Sequence, residues 1–186
     1  MKYTFSCIVT GIVLMLSLIV KAEVVKQMPV TVVESVDVDR YCGTWYEVAR
    51  LPNWFERKCL KNITATYSKN PDGTLKVVNR CKKDDGSLIE ATGIARRQSN
   101  SEPNTKLKVR FAPRILSFLP FVWGNYWIID LASDYSYAVV GEPKREYLWI
   151  LSRTPQLPDS TLQDIIERVK KMGFDTEKLI RIHNSN

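Results

Sequence analysis

Few residues in this chain are equipped for covalent or acid–base chemistry. Nucleophilic catalysis by a serine or cysteine needs a base within hydrogen-bond reach. The chain has one histidine, His183, in its C-terminal segment. No G-x-S-x-G turn, no Gly-rich phosphate loop and no H-E-x-x-H run is present. Cys42 as a thiol nucleophile would lack a histidine partner. The spacings of Cys42, Cys59 and Cys81 are not those of C-x-x-C metal sites, so no metal and no cofactor is expected. Haem binding would require a histidine facing inward, and His183 stands in a tail. Carboxylates fall mainly in turns, on outward strand faces or on a helix. Glu47 is the exception, and a lipid-modifying role for it is the weakest of the readings. The expectation is a binding protein, not an enzyme.

Disulfide formation is the chemistry left to the cysteines. Residues 1–22 read as a signal peptide: Lys2 opens them, Ile8 to Val20 is apolar, and Val20-Lys21-Ala22 suits cleavage. An uncleaved anchor helix is the alternative, but the run is short for a membrane span. Residues 23–186 then form one domain. Export permits disulfides. Three cysteines follow the leader, and any two of them could pair. The turn Asn70-Pro71-Asp72-Gly73 joins two strand-like runs, and pairing about it brings Cys59 near Cys81. Cys42 is left as a small buried apolar residue.

The formal charge is +7, and loss of Lys2 and Lys21 lowers it by two. A modest excess without one long basic run argues against nucleic acid. It could favour an anionic membrane surface.

Eight strand-like runs must position whatever binds. They span residues 44–50, 62–69, 74–82, 88–97, 106–112, 125–131, 135–141 and 147–152, with turn signals between them. Val36 to Tyr41 reads as a helical turn before the first run. Leu162, Ile165, Ile166, Val169 and Met172 recur at helical spacing, with Asp159 as N-cap and Gly173 as stop. Residues 176–183 could add a short strand. The fold class expected is all-β: an eight-stranded antiparallel up-and-down barrel with one C-terminal helix packed outside. A sandwich is the other all-β solution.

Alternation from Trp45 predicts the inward set. It comprises Glu47 and Ala49; Ile63, Ala65 and Tyr67; Val77 and Asn79; Ala91, Gly93 and Ala95; Leu107, Val109 and Phe111; Tyr126 and Ile128; Tyr137 and Val139; Tyr147 and Trp149. Small residues on adjacent strands leave room, and the tyrosines, Asn79 and Glu47 supply polar handles. Such a lining suits an amphipathic lipid, a fatty acid or a lysophospholipid. The other reading is a filled interior in which Tyr and Asn satisfy one another.

Between the fifth and sixth runs lies an apolar loop with Ile115, Leu116, Phe118, Leu119, Phe121, Val122 and Trp123. Pro113 and Pro120 argue against one long strand. The loop is core folded over the barrel, a membrane-docking element with Arg114 at the head groups, or a homodimer contact.

Gly43-Thr44-Trp45-Tyr46-Glu47-Val48-Ala49-Arg50, Phe55-Glu56-Arg57, Thr64 to Ser68, and Tyr147 to Pro155 occur in this order. Together they resemble the lipocalins, within them the bacterial lipocalin and apolipoprotein D branch, over about residues 36–183. The resemblance implies that Arg153 packs over Trp45 at the closed end of the barrel, as a structural device. It implies lipid storage or transport for membrane maintenance. It implies export: to the periplasm or the outer membrane in a bacterium, secretion otherwise. Bacterial relatives are often tethered through a cysteine directly after the apolar run. No cysteine stands there, because Cys7 precedes the run. Related plant lipocalins have a Pro-rich apolar loop in the same place, associated with membranes.

Overall fold

The computed structural model describes residues 29–59 and 61–184. The expected signal peptide lies outside the described residues. A short helix α1 (Val38–Tyr41) precedes strand β1 (Gly43–Arg50). Then follow β2 (Lys61–Lys69), β3 (Leu75–Lys82), β4 (Leu88–Arg97), β5 (Lys106–Arg110), β6 (Gly124–Leu131), β7 (Tyr137–Gly141) and β8 (Leu148–Ser152). Helix α2 (Asp159–Lys171) and a two-residue strand β9 (Ile180–Arg181) complete the order.

From β1 to β8 each strand pairs antiparallel with its successor, and β1 also pairs with β8, which closes the barrel. Closure of eight strands into a barrel removes every free edge except that covered by β9, which pairs with the end of β1. Connections β1–β2, β3–β4, β5–β6 and β7–β8 gather at one end, the mouth. The α1 segment and the remaining hairpins gather at the other, the floor.

Two apolar cores result. One lies inside the barrel and includes Trp45, Tyr67, Val77, Leu107, Ile128, Val140 and Leu151. The other lies between the barrel wall and α2, where Val48, Ile129, Val139, Leu148 and Ile150 meet Leu162, Ile165, Val169 and Phe174. The stripe at helical spacing thus faces the sheet, and each fully buried side chain of it is worth about 1.5–3 kcal/mol.

Three local readings need correction. The N-cap of α2 is Pro158, in an extended conformation, and Asp159 is the first helical residue. Its carboxylate accepts from Arg181 at 3.2 Å rather than capping the helix. On β7, Ala138 and Val140 belong to the interior core, while Tyr137 and Val139 face outward under α2. The phase of Tyr-Ala-Val-Val-Gly is ambiguous because both of its faces are covered. On β1, the register against β8 shifts between Glu47 and Ala49. This bulge adds Val48 and carries both Val48 and Ala49 into the outer core. Ala49 is therefore not a lining residue, and the next residue, Arg50, turns inward with Trp149 as its register partner.

A third, small cluster holds Cys59, Cys81, Ile63 and Ile182, with Ile89 against it. Cys59 and Cys81 form a disulfide, with Cα atoms 5.4 Å apart. It ties the β1–β2 connection to the mouth end of β3. Cys42 is free and half-buried.

Candidate functional site

The floor is built around Trp45, which is fully buried. Its indole N–H donates to the Tyr41 carbonyl at 2.8 Å. The Arg153 guanidinium sits 3.7 Å from the Trp45 ring centroid. Arg153 also donates to the carbonyls of Thr44, Tyr41 and Cys42 at 2.9, 3.1 and 3.0 Å. A guanidinium suits this place because its planar fork reaches several carbonyls while its face stacks on the indole. Gly43 has φ +96°, and an added Cβ would lie 3.3 Å from the Arg153 guanidinium. The chain needs glycine here to turn beneath the arginine.

Three tyrosines gather beside the tryptophan, with the Tyr41 ring centroid 5.1 Å from that of Trp45 and 5.4 Å from that of Tyr67. The Tyr126 hydroxyl lies 2.7 Å from that of Tyr41 and 2.8 Å from that of Tyr67. Burial raises the pKa of all three phenols, so they remain neutral. Val77, Ala95 and Leu107 pack around them.

The upper barrel differs. Ala65 pairs with Asn79, which pairs with Ala91. Ala65 and Asn79 are half-buried and Ala91 is exposed. Val109, Tyr147 and Trp149 are half-buried as well, and Phe111 is exposed. These positions are less enclosed than the floor. Not every small residue leaves space: an added Cβ on Gly93 would lie 2.7 Å from the Phe111 ring and 2.8 Å from the Arg110 carbonyl. Gly93 lets Phe111 lie flat on the wall. Ile63 packs with the disulfide rather than lining open space. Two clefts flank this well. One of about 210 Å³ lies beside Arg57 and Ile180, and one of about 190 Å³ lies at the closed end beside Val36 and Leu75.

The mouth carries a charged network absent from the sequence reading. Arg50, nearly fully buried, donates to Glu47 at 2.7 Å and to the carbonyls of Glu56 and Cys59 at 3.1 and 2.9 Å. The Glu56 carboxylate is 3.9 Å from the Arg50 Nε and accepts from the Trp149 indole at 3.0 Å. Phe55 packs near the stacked rings of Tyr147 and Trp149. The β1–β2 connection is thus fastened to the inner wall. Burial, with the Glu56 carboxylate nearby, pushes Glu47 up to about 8 against the pull of Arg50. Phe55-Glu56-Arg57 was visible as a motif, but the inward turn of Arg50 was not, because the bulge that produces it has no local signature.

The apolar loop does not fold over the barrel. Ile115, Phe118 and Phe121 are 79, 77 and 80% exposed. Two short 3-10 turns shape the loop. Trp123 anchors it from outside the barrel, donating to the Ser117 carbonyl at 2.8 Å. The guanidinium of Arg96 lies 4.1 Å from its ring centroid and that of Arg110 5.2 Å. Leu119 and Trp123 are half-buried and so belong to the anchor, not to the exposed tip. Among the described residues there is no cluster of three metal-ligating side chains, and no helix long and apolar enough to cross a membrane.

A closed antiparallel barrel with a filled floor, an open mouth and one helix on its outer wall is the architecture of the lipocalins. The lipocalin-like domain model matches residues 36–184. The chain is 38% identical to temperature-induced lipocalin-1 of Arabidopsis thaliana over 83% of each chain. It is 40% identical to outer membrane lipoprotein Blc of Escherichia coli over 81% of each. Apolipoprotein D of Mus musculus is 34% identical over 82% of this chain and 79% of its own. Among solved structures, insecticyanin of Manduca sexta superposes with a TM-score of 0.64 at 20% identity, over 84% of this chain and 85% of its own. Lobster apocrustacyanin A1 has a TM-score of 0.61 at 18% identity, over 80% and 79%. The latter two speak to the fold alone. The chain belongs to the lipocalin family, and membership implies binding of a small hydrophobic ligand.

Proposed function

We propose that this protein is an exported carrier that holds one amphipathic lipid, a fatty acid or lysophospholipid, in the upper barrel and serves membrane maintenance. The observation that carries the reading is the contrast between the two halves of the interior. The lower half packs around Trp45 and the three tyrosines beneath Arg153, whereas Ala65 and Asn79 are half-buried and Ala91 and Phe111 are exposed. An acyl chain entering there meets apolar wall and a few polar groups. Relatives named as an outer membrane lipoprotein and as an apolipoprotein are consistent with export. Native mass spectrometry of the purified protein tests the reading. A lipid adduct is expected, and displacement of that adduct by added lipid. A bare barrel that takes up no added lipid would instead indicate an interaction protein.

A second element of the reading is contact with a membrane surface. Trp54 and Phe55 on the β1–β2 connection and Ile115, Phe118 and Phe121 on the β5–β6 loop are all exposed. Arg57, Lys58 and Lys61 follow the first two in the chain and Arg114 precedes the other three, and all four basic residues are exposed. An apolar tip within a basic rim suits an anionic bilayer. A homodimer through the same tip is the competing outcome, and light scattering reads it directly.

A further inference from the structure

The polar groups inside the barrel specify more than the presence of a lipid. Consider first the hydroxyl chain. Tyr41, Tyr126 and Tyr67 bring three O–H protons to two hydroxyl–hydroxyl contacts. Each contact consumes one proton, so one O–H is left to donate elsewhere. Consider next Asn79. Its Oδ1 is buried and makes no hydrogen bond among the described residues. Asn79 pairs with Ala65 and Ala91, whereas Tyr67 pairs with Val77. Asn79 is therefore one inner-face position closer to the mouth than Val77 and diagonal to Tyr67. A side-chain amide both donates and accepts. The interior thus holds one unspent hydroxyl proton and, diagonal to Tyr67, an unspent amide oxygen, and both groups are uncharged.

The inward cation offers nothing comparable to an anion. Arg50 is already engaged by the Glu47 carboxylate and two backbone carbonyls. Its Nε has no hydrogen-bond partner among the described residues but faces the Glu56 carboxylate at 3.9 Å. Two carboxyl groups thus stand around one guanidinium. An incoming carboxylate or phosphate would be desolvated beside them without a free positive partner. A hydroxyl, ester or amide would lose less water and find donors and acceptors waiting.

We propose that the barrel selects amphipaths whose buried polar group is uncharged, and that Asn79 with the Tyr67–Tyr126–Tyr41 hydroxyl chain recognises that group. The proposal rests on the carrier reading and sharpens it. Of the fatty acids, those carried would be carried as the neutral acid.

The test is displacement of the neutral fluorophore N-phenylnaphthylamine from the full chain by two ligands with the same acyl chain. One is monolaurin. The other is laurate at about pH 9, where a free carboxylic acid is ionised. Monolaurin is expected to bind at least about tenfold more tightly. Asn79→Leu is expected to reduce monolaurin affinity by about tenfold with little effect on laurate. Tyr67→Phe, which shortens the hydroxyl chain while keeping the ring, is the second variant should Asn79→Leu melt early. Glu47→Gln removes a carboxylate beside Arg50 and is expected to shift preference towards laurate. Equal or tighter binding of laurate by the wild type would overturn the proposal while leaving the carrier reading intact. Failure of both ligands to displace the fluorophore would overturn the carrier reading and the proposal with it.

Discussion

Arg50 and Glu47 form an ion pair of 2.7 Å inside the barrel wall, although they are three residues apart on one strand. In a regular strand residues three apart face opposite sides. The bulge at Val48 puts both on the inner face and sends Val48 and Ala49 under α2. One inserted residue thus serves two purposes: it completes the outer core and it builds the charged network that fastens the β1–β2 connection at the mouth.

That pair has a pH signature. Burial and the Glu56 carboxylate raise Glu47 to about 8. For an acid raised on folding, the stabilising proton is held below the ordinary carboxylate range and is lost as pH climbs through the folded value. Wild type is therefore expected to lose stability between about pH 4.5 and about pH 8, on the order of a few kcal/mol relative to Glu47→Gln. Chemical denaturation of both proteins across that range reads the difference. A difference that does not change with pH would mean that Arg50 keeps Glu47 ionised throughout.

Trp45→Ala is expected to cost about 3–5 kcal/mol, the usual loss for emptying a large buried aromatic site. Trp45 is fully buried beneath Arg153, and its ring also packs 5.1 Å from that of Tyr41. Urea unfolding measures the loss. A value below about 1 kcal/mol would contradict the packing described here.

The inner wall can be blocked or strained at will. Ala65→Trp is expected to fill the upper barrel and to weaken lipid binding at least about tenfold, with the fold retained. Gly93→Ala acts differently, because the new methyl would press on Phe111 and on the Arg110 carbonyl. It is expected to cost about 1–3 kcal/mol in stability. Fluorescent fatty-acid titration and melting curves on the two variants separate occlusion from strain. Unaltered binding by a folded Ala65→Trp would place the ligand outside the barrel.

The loop tip makes the clearest contrast. Replacing Ile115, Phe118 and Phe121 together with Ser removes three side chains that are more than three-quarters exposed. Stability is expected to stay within about 0.5 kcal/mol, as for other surface changes. Sedimentation with anionic vesicles is expected to fall sharply, since each such side chain fully buried in lipid is worth about 1.5–3 kcal/mol. Raising salt should weaken the remaining basic-rim contribution. A variant that binds vesicles as wild type does ends the membrane reading, and a dimer-to-monomer change in light scattering supports the dimer.

Much of the framework was legible from residue order alone. Lys106-Leu-Lys-Val-Arg110 alternates strictly because Leu107 and Val109 meet the core while the three basic residues take the outer face, Arg110 beside Trp123, so its phase reads directly. The α2 stripe is legible for the same reason, and so is the Asn70–Gly73 turn that sets the register and brings Cys59 to Cys81. What tertiary structure alone decided are the places where a local pattern has no contrast or is interrupted. On β7 both faces are apolar, since the interior takes one and α2 the other, and alternation cannot tell them apart. On β1 a single unpaired residue reverses the phase midway, and only pairing with β8 shows where. The same holds for space. Gly93 and Ala65 look alike as small residues, but whether a small residue leaves a cavity or makes room for a neighbour depends on the ring of Phe111, which lies across Gly93. Sequence period is a property of one strand, whereas occupancy of the interior is a property of all eight at once.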